Sequence, residues 1–217
     1  MVGLMEKDIR LLLKRKEIII MFLAISFLLG FTTDGNFVIA YLTILCAIFS
    51  ASTISYDEFD NGYTFLMTLP IDCKTYVAEK YAFCIGSGFI AWIFAVIFFL
   101  VTGVVKGDAI NLSEDMMMAV VFIPVYIIML CVMIPIQLKY GGEKSRIVLL
   151  VLWGIIALIG FVGAKALAGL NISIDGLVKI LDQIPDIALV VIGIAVTILI
   201  TVISIACSRK IMEKKEY

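Results

Sequence analysis

The chain has no histidine and few charges: Lys and Arg number 17 and Asp and Glu 18 among 217 residues, 16% of the total. That near-neutral balance, with no basic patch interleaved with aromatics, argues against nucleic acid as a partner. No group of residues has metal-ligand spacing. A phosphate-binding loop is also missing. Gly141-Gly142-Glu143-Lys144-Ser145 holds glycine and lysine, but it lacks the G-x-x-x-x-G-K-[ST] spacing and follows no strand. The chain therefore does not bind a nucleotide by that route, and any energy it uses comes from a partner.

What the sequence has in excess is apolar length. Hydrophobic residues make up 63% and the mean hydropathy is +1.13, against about 45–50% apolar residues in ordinary globular domains. Six uncharged segments follow one another, at Ile18–Phe31, Phe37–Ser55, Tyr81–Val105, Met117–Leu138, Ile147–Ala164 and Ile187–Ser208. Each approaches or exceeds the roughly 20 residues needed to cross a bilayer as a helix, the first being short. None alternates as a membrane strand does, and helices satisfy their own backbone in lipid. The expected fold is an all-α integral membrane protein of six transmembrane helices forming a single domain over residues 1–217. The first span follows a charged stretch and has no small-residue cleavage site, so it reads as a retained helix. Because the six segments hold no ionisable residue, ion-coupled transport is disfavoured.

Lys and Arg set the expected orientation. Fourteen of them lie in the N-terminal stretch, the loop of residues 56–80, the loop after the fourth span and the C-terminal tail, against three (Lys106, Lys165, Lys179) on the other side. Both termini and the 56–80 loop are thus expected in the cytoplasm. The five cysteines, Cys46, Cys73, Cys84, Cys131 and Cys207, avoid the outer segments and read as reduced, small apolar residues.

Local patterns refine this picture. Residues 1–16 read as an amphipathic helix, with Met5, Ile9 and Leu12 on one face and Lys7, Arg10 and Lys14 on another, either lying on an anionic inner leaflet or simply flanking the first span. The short turn Thr32–Asn36 pairs the first two spans as a hairpin. Pro124 and Pro135 are expected to bend the fourth span. The pairs Ala82/Gly86, Ala91/Ala95 and Gly160/Ala164 have helix-contact spacing. Residues 165–186 suggest an outer amphipathic helix between spans five and six, ended by Pro185. The aromatic third span invites two readings for Phe89 and Trp92, together with Tyr126 on the fourth: packing and lipid contact, or the lining of a path for an amphiphilic substrate.

The polar stretch Tyr56–Lys80 is the one place where such a chain meets water as a structured loop. Asp57-Glu58-Phe59-Asp60-Asn61-Gly62 forms a polar turn, Tyr63–Leu69 a short amphipathic helix, Pro70 a break, and Asp72 a cap for the helix entering the third span. A short helix hung between two spans can push on both.

The run DEFDNGYTFLMTLPIDCKTYVAEKY resembles the cytoplasmic loop of small ABC-2 type permeases, the membrane subunits of ATP-binding-cassette exporters. An acidic-Asn-Gly segment, an aromatic, a Leu-Pro pair and a Lys-Tyr entry to the next span recur there in this order. Where members often carry Ser-Arg-Lys, this chain has Asp72-Cys73-Lys74. The resemblance implies a permease without its own nucleotide site, multi-pass in a bacterial plasma membrane. It works as a homo- or heterodimer with two copies of a separate ATPase that holds ATP and Mg. It also implies that the 56–80 loop is a coupling helix docking into that ATPase through Glu58, Asn61, Gly62, Tyr63, Phe65, Leu66 and Pro70. Small members of this class export amphipathic or antimicrobial peptides, including exporters of phenol-soluble modulins, and the implied cargo is an amphipathic peptide. The competing readings are a non-transporting membrane scaffold or immunity protein, and a secondary carrier.

Overall fold

Uninterrupted apolar runs leave the backbone no solvent to bond, so they close their hydrogen bonds within helices. The computed structural model describes residues 1–32, 35–58, 62–68, 71–107, 112–169 and 186–215. Among these residues helix is the only regular structure. The elements are α1 (Val2–Lys14), α2 (Lys16–Thr32), α3 (Gly35–Glu58), α4 (Gly62–Thr68), α5 (Cys73–Lys106), α6 (Leu112–Gly169) and α7 (Asp186–Glu213).

Among the described residues, five stretches are long and apolar enough to cross a membrane: Asn36–Glu58, Cys73–Lys106, Asp115–Gly142, Lys144–Gly163 and Val190–Glu213. α2 is apolar as well, but its 17 residues extend only about 25 Å, short of a core about 30 Å thick. The outer helix expected over 165–186 lies mostly outside the described residues; its first part, Lys165 to Gly169, continues α6. α3 and α5 both reach into the polar stretch of 56–80, running to Glu58 and starting at Cys73. Asp72 does stand at the N-cap of α5, but its side chain makes no capping bond; its backbone carbonyl accepts from Tyr76 N–H at 3.0 Å.

α3 is the central helix, packed against α2, α5 and α6, while α7 lies on α6 and α5. One apolar cluster joins Ile54, Tyr63, Leu66, Tyr76, Val77, Tyr126, Leu130, Ile134, Leu138 and Met212 around the loop end of these helices. A second joins Val38, Ile39, Leu42, Ala95, Val96 and Ala119 toward the other end, where Asn36 donates to Asp115 at 3.2 Å. α7 is keyed to the bundle by a polar node. Tyr81 Oη lies 2.5 Å from Ser204 Oγ and 2.9 Å from Ser208 Oγ, and Ser204 donates to the Cys131 carbonyl at 2.5 Å. By contrast, residues from Ile147 to Gly163 include none that is fully buried, and the span turns most of its apolar side chains outward while Leu149 touches the first cluster.

Two features of the helices add to or depart from the expectations. Pro124 and Pro135 sit inside α6, but the break in helical dihedrals falls at Gly141, with φ 77° and ψ 179°. The small-residue contacts also fall elsewhere than expected. Ala95 is buried, but nothing lies within 4 Å of where a Cβ would stand at Gly86 or Gly160. Close approaches occur instead at Gly30, against Phe98 and Thr102, and at Gly88, where an added Cβ would lie 2.8 Å from the Tyr126 ring. Gly88→Val should therefore wedge α5 from α6, costing about 1–3 kcal/mol as overpacking does and lowering the thermal midpoint of the purified protein in detergent. Gly86→Val, facing open space, should leave that midpoint unchanged.

Candidate functional site

The polar chemistry of the molecule concentrates where α1, α3, α4 and α5 meet. α1 presents a stripe of Leu4, Lys7, Asp8, Leu11 and Leu12 to the bundle, with Leu4 and Asp8 buried and Ile9 47% exposed. The expected face through Met5, Ile9 and Leu12 is thus rotated, and an acid sits at its centre. Asp8 cannot be buried alone, because an isolated charge removed from water is costly unless paired.

Its partner is Lys80, at the first turns of α5. Lys80 Nζ bonds Asp8 Oδ2, lies 2.7 Å from Asp57 Oδ2 and donates to Thr53 Oγ1 at 3.4 Å. Lys80, Asp8 and Thr53 have no exposed surface, and Asp57 is 5% exposed. Lys7 adds a second cation, bonding Asp57 Oδ1 and lying 3.2 Å from Asp8 Oδ1. Tyr76 donates to Asp57 Oδ2 at 2.9 Å. Three helices remote in sequence are thus pinned by one charge cluster, at the two ends of the 56–80 loop. Glu79, fully buried beside Lys80, adds a third carboxylate whose oxygens find no hydrogen-bond partner among the described residues.

α4 rests on this cluster. Tyr63 and Leu66 are 5% and 8% exposed. The Tyr63 ring meets Tyr76 edge-on at 5.9 Å, and its hydroxyl donates to the Ile54 carbonyl at 3.3 Å. Gly62 is required by close approach, since a Cβ there would lie 2.5 Å from the Asp57 carbonyl oxygen. Glu58, the last residue of α3, turns toward the break in α6 and accepts from Gly142 N–H at 2.6 Å. Lys215 reaches the same place from beyond α7, 3.8 Å from Glu58 and donating to the Leu138 carbonyl at 3.3 Å, with its ammonium 4.4 Å from the centre of the Tyr63 ring. A side chain at Gly141 would collide with the Glu58 carboxylate, and its positive φ independently favours glycine.

Of the residues expected to dock a partner, Glu58, Gly62, Tyr63 and Leu66 are therefore engaged inside this protein. Phe65 lies on α4 between them, and Asn61 and Pro70 fall outside the described residues. Of the three candidates for a substrate path, Tyr126 is fully buried, its ring against Gly88 and its hydroxyl donating to the Ile85 carbonyl at 3.3 Å. Phe89 is 43% exposed and stacks on Trp92 at 5.6 Å, while Trp92 Nε1 donates to the Ala119 carbonyl at 2.8 Å. The structure thus separates Tyr126, in the core, from the Phe89–Trp92 pair.

The charge cluster escaped the sequence reading because Asp57 and Lys80 stand just outside the uncharged segments, where flanking charges are ordinary. One signal was available: Asp8 interrupts the Leu4–Leu11–Leu12 stripe of α1. Removing Lys80 would leave three buried carboxylates facing Lys7 alone. Lys80→Met should accordingly cost about 3–5 kcal/mol, read as a lower thermal midpoint in detergent, whereas Lys74→Met, at an exposed position on the same helix, should change it little.

An all-helical, multi-pass membrane protein with a short helix anchored between two spans is what the fold and this site define. A family model described as "ABC-2 family transporter protein" matches residues 3–213, and the chain belongs to that family. As such it is a membrane component of an ATP-binding-cassette transporter, a class that works with a separate ATPase. No curated protein and no solved structure gives a significant match.

Proposed function

We propose that the protein is the permease of an ATP-driven exporter, in which α4 carries the movement of a separate ATPase subunit into the spans. The observation that supports this is the anchoring of α4. It packs through Tyr63 and Leu66 onto a charge cluster that ties α1, α3 and α5 together, and Glu58 at the end of the preceding helix α3 holds the break in α6. A load applied to α4 is thereby shared among four helices. In this reading α2 completes six spans, short as it is, and both termini face the cytoplasm of a bacterial cell. Two permease copies pair with two ATPase copies that hydrolyse ATP, and an amphipathic peptide is the cargo. The open apolar surface of the span Lys144–Gly163 leaves room for a second copy as well as for lipid.

The docking surface follows from what α4 does not bury. Because Glu58, Gly62, Tyr63 and Leu66 hold the helix in place, contact with the ATPase falls to Phe65 and to the flanking loops containing Asn61 and Pro70.

Purifying the tagged chain from its own host and identifying what accompanies it tests this directly. An ATPase with a phosphate-binding loop should co-purify, and Phe65→Asp should abolish that association without moving the thermal midpoint of the permease. Undiminished recovery with Phe65→Asp would remove Phe65 from the docking surface. Recovery of no ATPase with the unaltered chain would favour a non-transporting scaffold.

A further inference from the structure

Toward the C-terminal end of α7, α6 and α7 leave a groove of about 730 Å³, within the roughly 300–1,000 Å³ range of small-ligand sites. The two helices line it in register. Pro135, Ile136 and Lys139 come from α6, Lys210 and Ile211 from α7, and Lys214 from the residue just past it. The helices run parallel here, since Cys131 contacts Thr201 and Leu138 contacts Lys215. All three lysines therefore gather at one end of the groove, beyond its apolar floor. They are exposed, and no acidic residue lines the groove. Lys215, one residue beyond Lys214, turns the other way to Glu58. The end of α7 thus divides its cations between an internal contact and the groove.

We propose that this groove is a binding site for an anionic glycerophospholipid such as phosphatidylglycerol. Charge complementarity identifies the occupant. Three lysines line this end and no acidic residue is among the described lining residues, so the ligand carries negative charge. The floor beneath them is apolar, so the ligand also carries hydrocarbon. Lys139 lies one turn before the end of the candidate span Asp115–Gly142, Lys210 falls in the last turn of α7, and Lys214 directly follows that helix. Those positions set the lysines at headgroup depth and the floor at the depth of the first acyl carbons. Only the choice of leaflet rests on the orientation proposed above; the site does not.

Cys207 lines the same groove and is exposed, whereas Cys73 is part-buried and outside it. Their maleimide labelling in one sample therefore gives a probe and its reference. The full chain is purified in non-ionic detergent and mixed with dioleoylphosphatidylglycerol or dioleoylphosphatidylcholine, with native mass spectrometry counting retained lipid. The glycerol lipid should slow Cys207 labelling relative to Cys73 and stay bound, and the choline lipid should do neither. Each lysine near an anionic headgroup contributes roughly fivefold in affinity, so the variant K139Q/K210Q/K214Q should bind phosphatidylglycerol roughly a hundredfold more weakly. K14Q/R15Q/K16Q, with the same loss of charge elsewhere, should bind normally.

Equal protection by the two lipids, or unchanged binding in the groove variant, would overturn the proposal. So would protection by inorganic phosphate alone, which would make the groove a site for free anion. Protection without lipid that rises with protein concentration would show that a second copy covers the groove and would likewise overturn it.

Discussion

The ion cluster of Asp8, Asp57, Lys7 and Lys80 is the constraint on which the cytoplasm-directed end of this molecule depends in the proposed orientation. Buried charges are unforgiving: each is costly in isolation, and each fixes its partners within a hydrogen-bond length. Here the partners come from three helices, α1, α3 and α5, that sequence separates by dozens of residues. Once Lys80 is placed, the end of α3 and the start of α5 are held together, and α4 has nowhere to sit except across them. Tyr76 serves both layers, donating its hydroxyl to Asp57 and offering its ring to Tyr63.

Glu58 extends the same logic toward α6. A helix that breaks at Gly141 exposes a backbone N–H at Gly142 with no partner in the preceding turn, and the Glu58 carboxylate supplies one. The glycines at 141 and 142 admit that carboxylate and the close passage of Ser55. The loop helix is thereby linked to the hinge between two further spans, with Lys215 from the end of the chain bracing both. In the proposed function, this linkage is what would pass a displacement of α4 to the spans together.

Much of the architecture was legible from the sequence because lipid permits few solutions. Long uncharged runs specify helices, and the runs from Phe37, Tyr81, Met117, Ile147 and Ile187 each lie within a helix long enough to span. What composition alone did not resolve was contact. Glycines at helix-contact spacing, such as Gly86 and Gly160, face open space, while Gly88 and Gly30 receive aromatic rings, a distinction that depends on rotation and not on spacing. The loop was correctly singled out as structured, but its residues divide differently from the expectation. An acid next to a loop reads as solvated, and only the fold reveals that Asp57 and Glu58 point in opposite directions, into the charge cluster and onto the α6 break. Tyr63 and Leu66 were assigned to a docking surface by resemblance, and a short amphipathic helix does not itself say which side it buries.

The most direct measurement is a double-mutant cycle between Asp8 and Lys80. The thermodynamic stability of the purified protein would be compared for Asp8→Asn, Lys80→Met and the pair together. If the cluster joins α1 to α5 as described, either single change unbalances it, leaving Lys80 with Asp57 alone or Asp8 sharing Lys7 with Asp57, and the second change relieves part of that penalty. The two then couple by about 1–3 kcal/mol, at the upper part of the range for contacting residues. Additive effects would mean that the two side chains act independently and that α1 is not pinned to the bundle through Lys80.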